Sequence, residues 1–377
     1  MTVNQNRKIT VNQMLKPIFL TLLFNLFLGI SFSFGENEGK KEGEEKFNAG
    51  ETIMEHVTDN HSWHILGHTS LPLPVIIYSD KGVECFSSSK FEEGRLAVQG
   101  NYNYGLIKGH IRVIGADIKI DEAATAKIWD FSITKNVASL FIGITVMLMI
   151  FLSVAKSYRK NAGKAPSGLQ SWIEPLILFV RDDIAKPSIG EKHYRRFMPY
   201  LLTIFFFIWV NNLLGLIPIF PGGVNLTGNI AITLTLAVLT FIITTLNGNK
   251  HYWRHIFAMP GVPLWVLPLI TLIEIMGVFL KPFVLMIRLF ANIMAGHIII
   301  LSFISLIFIF GDMAKWIGYS VSPLSVGFSI FMGTLELLVA FLQAYVFTLL
   351  SAIYFGAAVE EHHHPPQHHD TEQQAII

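Results

Sequence analysis

The most informative part of this sequence is residues 261–310, GVPLWVLPLITLIEIMGVFLKPFVLMIRLFANIMAGHIIILSFISLIFIF. It is predominantly apolar and contains three charged residues, Glu274, Lys281 and Arg288. A helix needs about 20 apolar residues to cross a hydrocarbon layer of ~30 Å, so this stretch exceeds one perpendicular span. It therefore predicts a membrane helix that is tilted, kinked or partly laid along the interface.

The composition of the whole chain agrees with a membrane protein. The 377 residues are 52% hydrophobic and 15% charged, with a mean hydropathy of +0.49, whereas soluble domains carry about 25% charged residues. The formal net charge of +1 gives no electrostatic reason to expect a nucleic-acid partner. A single cysteine, Cys85, excludes an intrachain disulfide framework and a cysteine-based metal centre.

The N-terminal region predicts an export signal. In residues 1–35, basic residues precede an apolar run from Pro17 to Ile30, and a patch of small residues follows. The alternative is an uncleaved first membrane helix, since the run approaches spanning length. Either reading delivers the next segment to the outside of the membrane.

Residues 36–130 differ in composition from the apolar stretches and predict a small extracytoplasmic segment. They open with a charged tract and continue with mixed polar and apolar residues. Leu73–Tyr78 and His110–Ile120 have the β-branched content of short strands. The pattern does not indicate a function for this segment.

Histidines occur in two groups whose spacing a metal site could use. His61, His64 and His68 lack accompanying acidic or cysteine ligands. The acidic, histidine-rich tail, residues 361–377, is interpreted as solvated and cytoplasmic, although it could bind metal adventitiously. The sequence therefore predicts no metal site and no cofactor.

Five membrane spans are predicted after the N-terminal segment. Residues 137–155 form a charge-free span, and residues 197–246 form two more, separated by the turn-forming residues 218–229. The long stretch 261–310 supplies the fourth span and residues 321–358 supply the fifth. The sequence therefore predicts an all-α integral membrane protein with two long tilted helices.

Basic residues at the span ends predict the orientation. A lysine- and arginine-rich group from Lys156 to Lys164 and the pair Lys250 and Arg254 mark cytoplasmic ends. The segment 168–196 mixes an apolar side with charges and predicts an amphipathic helix on the cytoplasmic surface. The C-terminus is expected in the cytoplasm and the chain in the cell (inner) membrane.

A short polar turn is predicted between the two long apolar stretches. Residues 311–320 contain Gly311, Asp312 and Lys315 and separate the fourth span from the fifth. The two spans are therefore expected to form a hairpin across the membrane.

Polar residues inside the two long stretches recur at helical spacing. Glu274, Lys281 and Arg288 are seven residues apart and share one stripe, and Asn292 lies one turn beyond Arg288. In the last span, two further polar residues are again seven apart: Glu336 and Gln343. Ionisable groups cost free energy in a bilayer, so their presence predicts a functional site.

The predicted topology sorts these residues by depth. An outer cluster of Asn292, His297 and Glu336 would face one side, and Glu274 would face the cytoplasm. Arg288 would lie between them, as a permanent cation that interrupts a proton path. Three alternatives stay open, each of them a structural role. They are a static Arg288–Glu336 ion pair, Lys281 and Glu274 as snorkelling residues at the interface, and a helix–helix contact of His297.

Four segments resemble the subunit a family of F-type ATP synthases. They are RLFANIMAGH (288–297), KPFVLMIRLFAN (281–292), NNLLGLIP (211–218) and ELLVAFLQAYVFTLLSAIY (336–354), in the order and spacing of that family. The resemblance covers roughly residues 130–360. It implies a proton-translocating stator subunit, non-catalytic by itself, that works with a ring of c subunits, b subunits of a peripheral stalk, other synthase subunits and the lipid bilayer.

The resemblance also assigns roles residue by residue. Arg288 matches the essential arginine of the family. Asn292 and Gln343 match polar residues that flank it, and both are expected in the outer half-channel with His297 and Glu336. Glu274 matches a carboxylate of the inner half-channel. Lys281 and Asn212 fall in the shared motifs and are expected at an interface.

Three features depart from the family pattern. The outer half-channel pair is interchanged, with His297 in the place of a glutamate and Glu336 in the place of a histidine. Gly215 stands where some members have an acidic residue, and the 36–130 segment is longer than the common form. The interchange keeps one imidazole and one carboxylate in the same cavity, so it agrees with the resemblance.

Two other classes of function remain as alternatives at this point. A secondary transporter could bind an anionic substrate at Arg288, which would predict inverted repeats in the two halves of the chain. A non-conducting scaffold would tolerate apolar replacements of the intramembrane charges. The sequence does not distinguish protons from sodium ions as the coupling ion.

Overall fold

A computed structural model describes residues 49–66, 69–92, 98–107, 109–115, 119–161, 164–217, 222–259, 262–263 and 265–360. The expected export signal (residues 1–35) and the histidine-rich tail (361–377) lie outside the described residues. The expected segment boundaries at residues 35, 130 and 360 stay predictions.

The described residues begin with a small unit of short strands. Helix α1 is followed by three antiparallel sheets with strand orders β1-β2, β4-β3-β8 and β5-β6-β7. The elements are α1 (Ala49–Val57), β1 (Ser62–Leu66), β2 (Thr69–Pro72), β3 (Pro74–Ser79), β4 (Gly82–Ser87), α2 (Ser89–Glu92), β5 (Val98–Gln99), β6 (Asn103–Ile107), β7 (His110–Val113), α3 (Glu122–Thr125) and β8 (Trp129–Asp130).

Two of these sheets share one apolar core. Alternate side chains of β3 meet alternate side chains of β6 and β7, because successive residues of a strand point to opposite faces. The buried members are Val75, Ile77, Tyr104, Ile111 and Val113. Glu84 also points inward, and its carboxylate accepts a 2.6 Å hydrogen bond from the Tyr104 hydroxyl. Burial and this carboxylate both raise the pKa of Tyr104.

Of the two strands predicted in this region, one agrees with the structure and the other does not. The first, Leu73–Tyr78, agrees closely with β3. The second, His110–Ile120, is too long, since β7 ends at Val113. The chain then turns back so that Ile114 pairs with Ile120. β-branched residues occupy both sides of this turn, which is why composition alone suggested one strand.

A polar contact lies within the strand-rich unit, shortly before the first membrane helix, α4 (Lys135–Lys160). His61 is 2% exposed, and its Nε2 atom lies 3.4 Å from Oδ2 of Asp130. Burial alone would raise the pKa of Asp130, but hydrogen bonds from His61 and Ser132 outweigh it and lower the pKa. The Thr134 side chain caps α4 by accepting from the Val137 backbone N–H.

The expected amphipathic segment follows α4. It comprises α5 (Leu169–Phe179), a π-helical turn (Val180–Ala185) and α6 (Lys186–Ile189). Val180 and Ile184 are fully buried, whereas Asp182 is exposed and pairs with Arg181 and Lys186 at 2.7 Å each. Hydrogen bonds from these two cations hold the pKa of Asp182 well below its usual range. The apolar side therefore packs on the protein while the charges face outward.

Four longer helices and one short helix follow among the described residues. They are α7 (Tyr194–Gly215), α8 (Ile230–Asn247), α9 (Lys250–Phe257), α10 (Leu267–Met313) and α11 (Lys315–Val359), with a 3₁₀ turn (Leu226–Gly228) before α8. Within the described residues, five helices are long and apolar enough to cross a membrane: α4, α7, α8, α10 and α11. The prediction of an all-α membrane protein with five spans is confirmed.

The helices α10 and α11 contain 47 and 45 residues and form the most extensive helix pair of the structure. At 1.5 Å per residue each is about 70 Å long, more than twice the ~30 Å hydrocarbon layer. Neither can therefore lie along the membrane normal within that layer.

The expected polar turn at 311–320 is wrong in extent. Ala314 alone is extended, between α10 ending at Met313 and α11 beginning at Lys315. A Cβ added at Gly318 would lie 2.8 Å from Cα of Gly311, so these glycines let the two backbones meet directly after the turn. Because a helix accepts the other polar residues of this segment, their composition overstated the length of the turn.

The main apolar core lies where α7, α11 and the amphipathic segment meet. Phe197 and Phe355 stack with ring centroids 4.8 Å apart, and Phe205 and Leu201 are fully buried beside them. This packing fixes α11 against α7 and so determines which face of α11 is presented to α10.

Candidate functional site

Arg288 lies on α10 with an exposed side chain. Neighbouring apolar residues are exposed as well, including Val284 at 42% and Ile287 at 38%. Among the described residues no carboxylate forms an ion pair with Arg288, and Glu336 pairs elsewhere. The static Arg288–Glu336 bridge considered from the sequence is therefore not formed. An unpaired guanidinium on an apolar surface is unusual enough to require a functional reason.

His297 and Glu336 face each other across the α10–α11 interface, through the Nδ1 atom of the imidazole and Oε1 of the carboxylate. The side chain of Glu336 is 5% exposed and that of His297 is 14% exposed. Gly296 permits this contact, because a Cβ there would lie 3.1 Å from the same carboxylate oxygen. The structure thus brings together the two residues expected as an outer pair.

Asn292 and Gln343 form a second contact between α10 and α11. The Asn292 amide donates a 3.0 Å hydrogen bond to Oε1 of Gln343. Gln343 is 4% exposed, whereas Asn292, one helical turn from Arg288, is exposed. The polar stripe expected from the spacing is therefore continuous from Arg288 toward the outer pair.

A small polar crevice opens beside the outer pair. Its polar lining includes Asn212, Asn225, Thr227, His297 and Glu336, and its volume of about 10 Å³ has room for about one water molecule. Asn212 is held in place, since its Oδ1 accepts a 2.6 Å hydrogen bond from Thr227 and its Nδ2 donates at 3.4 Å to the Ala340 carbonyl. The expected interface role of Asn212 stays a prediction.

Sequence reasoning missed Thr227 and Asn225. Both lie in the segment 218–229, which was interpreted as turn chemistry alone. A pairing of that segment with the Asn212 motif could have indicated them, but only the folded chain shows that the 3₁₀ turn reaches back to α7.

The other side of Arg288 holds a second set of polar groups. Tyr354 of α11 lies within electrostatic range of Arg288, and Lys281 has its ammonium 5.7 Å from the centroid of the Tyr354 ring. Glu274 lies farther along α10, near Tyr252 of α9. Burial raises the pKa of Tyr252, and the negative charge of Glu274 raises it further.

Tyr354 was not anticipated, although it lies in one of the motifs quoted above. It is distant from Lys281 and Arg288 in the chain, so only the register of α11 on α10 shows that its ring lies near the Lys281 ammonium and within electrostatic range of Arg288. Lys281 thus lies within cation–π range of an aromatic ring, and its expected interface role stays a prediction.

The polar groups on α10 lie at different distances on the two sides of Arg288. On α10, Glu274 and Arg288 are fourteen residues or about 21 Å apart, and Arg288 and His297 are nine residues or about 14 Å apart. Groups that can gain and lose protons thus flank a fixed cation on both sides. Within the described residues, no cluster of metal-ligating side chains is found.

Residues 137–356 match the family model described as ATP synthase A chain. The chain belongs to this family. Among its relatives are subunits a of ATP synthases from Chloroherpeton thalassium (43% identical over 237 residues), Chlorobaculum tepidum (46% over 236) and Myxococcus xanthus (40% over 236). Each alignment covers 61% of this chain and, in that order, 68%, 64% and 74% of the relative.

The small N-terminal unit matches a different model. Residues 52–131 correspond to a family described as a domain of unknown function. All eight candidate residues, from Asn212 to Gln343, lie inside the ATP synthase A chain match and outside this second match.

Proposed function

We propose that this chain is the proton-translocating stator subunit of the membrane sector of an F-type ATP synthase. In this role it provides two offset half-channels to the carboxylates of a rotating c ring, with Arg288 as the gate between them. The observation that carries the proposal is the exposed Arg288 on α10, which has no ion pair among the described residues and has protonatable groups on both sides, in a chain of the ATP synthase A chain family.

The outer half-channel would use His297 and Glu336. An imidazole takes up and releases protons near neutral pH, so this pair can collect a proton and pass it on. The crevice at Asn212 and Thr227 supplies a polar approach to the pair. The Asn292–Gln343 contact extends the polar surface to within one turn of Arg288, where a carboxyl group of the ring would receive the proton.

Arg288 would act as an electrostatic gate. At about 4 Å and an effective dielectric constant of ~20, a guanidinium and a carboxylate attract by about 4 kcal/mol. This corresponds to about three units of the pKa of the passing carboxyl, so the carboxyl loses its proton beside Arg288. A guanidinium stays charged where a buried lysine could become neutral. The same charge repels protons that would otherwise leak between the half-channels.

The inner half-channel would begin near Glu274. After a rotation, the neutral carboxyl of the ring would reach this side and release its proton toward the cytoplasm. The apolar residues exposed around Arg288 suit contact with the apolar flanks of a c ring. The b subunits and the other synthase subunits would hold the chain still, and ATP would be made elsewhere in the complex.

The first prediction tests the gate with Arg288→Ala. Removing the fixed charge should abolish proton-driven ATP synthesis in membrane vesicles, to below about one hundredth of the unmodified rate, because deprotonation of the ring carboxyl loses about 4 kcal/mol of attraction. The complex should still assemble, since Arg288 contributes no ion pair among the described residues.

The matched control is Arg254→Ala, which removes an exposed arginine of α9 and should leave synthesis near normal. Near-normal synthesis in the Arg288→Ala complex would rule out the gate. Loss of uptake of a small anion, with synthesis retained, would instead favour the secondary transporter considered from the sequence.

A further inference from the structure

The N-terminal unit carries an unusual sheet face. In the β4-β3-β8 sheet, one face covers the apolar core and the other is turned outward. The outward side chains include large apolar groups that are more than half exposed: Tyr78 at 52%, Val83 at 67%, Trp129 at 66% and Phe131 at 63%.

These residues form one continuous patch. Tyr78 is paired with Val83 on one side and with Trp129 on the other. In the next row, Ile76 is paired with Cys85, and its carbonyl accepts from the backbone N–H of Phe131. Among the described residues of the patch, defined as Ile76, Tyr78, Val83, Cys85, Trp129 and Phe131, none is charged.

The opposite outer face of the unit has the usual polar character. On the β5-β6-β7 sheet, Asn103, His110 and Arg112 point outward and are exposed. Since the core lies between the two sheets, the apolar patch is not needed to fill it. Exposed apolar areas of this kind mark a surface that contacts another apolar phase.

The patch is close in sequence to the first membrane helix. Phe131 is four residues from Lys135, the first residue of α4, so their Cα atoms are at most about 14 Å apart. The connection is tied down, because the Ile76 N–H donates to the Ser132 hydroxyl at 3.1 Å and the Ile133 N–H to the Pro74 carbonyl at 3.1 Å. The sheet therefore cannot swing freely away from the end of the membrane helix.

We propose that this apolar patch rests on the lipid headgroup region at the N-terminal end of α4, with the rings of Tyr78, Trp129 and Phe131 inserted between headgroups. Each headgroup layer is about 5–8 Å thick, within reach of a sheet so close to the helix end. Tyrosine and tryptophan are the side chains that membrane interfaces select, since their rings are apolar and their polar atoms stay in contact with water.

The lone cysteine of the chain gives a direct test. Cys85 is exposed and lies in the patch, so a nitroxide label attached there reports on the patch without another substitution. The label is placed on the full chain in its complex, reconstituted in phospholipid vesicles. Its collision rates with oxygen, which concentrates in lipid, and with a water-soluble nickel chelate are then measured.

The matched control carries Cys85→Ser and Arg112→Cys, which moves the label to the polar face. We expect the ratio of oxygen to nickel collisions to be at least about fivefold higher at position 85 than at position 112. A ratio within twofold of the control would overturn the proposal. Protection of position 85 from both reagents would also overturn it, because that result indicates a protein neighbour in place of lipid.

Discussion

The contact between His297 and Glu336 places an acid and a base in one buried pair. A carboxylate at 5% exposure loses much of its hydration, and the facing imidazole of His297 compensates when it donates a proton or a hydrogen bond. Either proton position leaves the pair nearly neutral overall. The pair can therefore hold a mobile proton at lower cost than an isolated buried group.

The second prediction is an exchange of these two residues. His297→Glu alone sets two carboxylates against each other, and Glu336→His alone sets two imidazoles together, so each should slow proton uptake by about tenfold or more. The double variant restores one acid and one base and should recover most of the flux. ATP-driven proton pumping into vesicles measures it.

The test compares the pumping rate of the double variant with the rates of the two single variants. Equal amounts of assembled complex are required in all samples. If the double variant pumps no faster than the slower single variant, the two side chains do not share a proton.

At this scale the spacing in the sequence predicted part of the site. Periodicity placed Arg288 and Asn292 on one stripe of α10, and the folded chain keeps them together. Tyr354 and Thr227 could not be predicted in this way, because their positions depend on how separate helices pack and not on spacing within one helix.

Close approach of backbones determines how the amphipathic segment is held. A Cβ added at Gly356 of α11 would overlap the carbonyl oxygen of Ser188 in α6. Since this is a backbone atom, it cannot rotate away as a flexible side chain could. The contact fixes the end of α11 on the amphipathic segment, beside the stacked rings of Phe197 and Phe355.

The third prediction is that Gly356→Ala destabilises this packing. Overpacking of this kind costs about 1–3 kcal/mol, so the apparent melting temperature of the purified complex should fall by several degrees. Gly327→Ala is the matched control, since a Cβ at Gly327 of the same helix meets open space. Equal melting temperatures for the two variants would contradict the tight α6–α11 contact.

Helices were predicted more accurately than their connections. Apolar length identified all five spans, because the bilayer demands about 20 apolar residues per crossing. The length of the turn at Ala314 was overestimated, since the polar residues around it are compatible with a helix. Backbone conformation at one residue, and not composition, decides where such a hairpin turns.

The whole molecule combines a membrane bundle with a small strand-rich unit on one side. The unit is joined to α4 by a short, hydrogen-bonded connection, and α1 packs against α10. The positive-inside rule assigns the other end of α4, near Lys164, to the cytoplasm. The strand-rich unit would then lie outside the cytoplasm.

The fourth prediction concerns this orientation. In a Cys85→Ser background, a cysteine at Arg112 should react with a membrane-impermeant maleimide in cells whose inner membrane is intact. A cysteine at Lys164 should react only after that membrane is opened. The reverse pattern would invert the proposed topology.

The membrane bundle was predictable as a whole, but the strand-rich unit was only partly so. Bilayer thickness requires a minimum apolar length for spans such as α7, so they are easily recognised in the sequence. A short strand such as β5 has only two residues, too few for a recognisable pattern. The position of β8 beside β3 depends on pairing between residues that are far apart in the chain, Ile77 and Asp130, with four other strands between them. No local pattern encodes that pairing.

The single extended residue between α10 and α11 makes the site sensitive to insertions and deletions. One helix ends and the next begins directly at Ala314, so no loop residues are present that could absorb a change in chain length. One inserted or deleted residue there would turn all of α11 by about 100° relative to α10. The imidazole–carboxylate pair and the amide pair would then be lost together, so the length of this joint is constrained as strictly as the polar residues that it aligns.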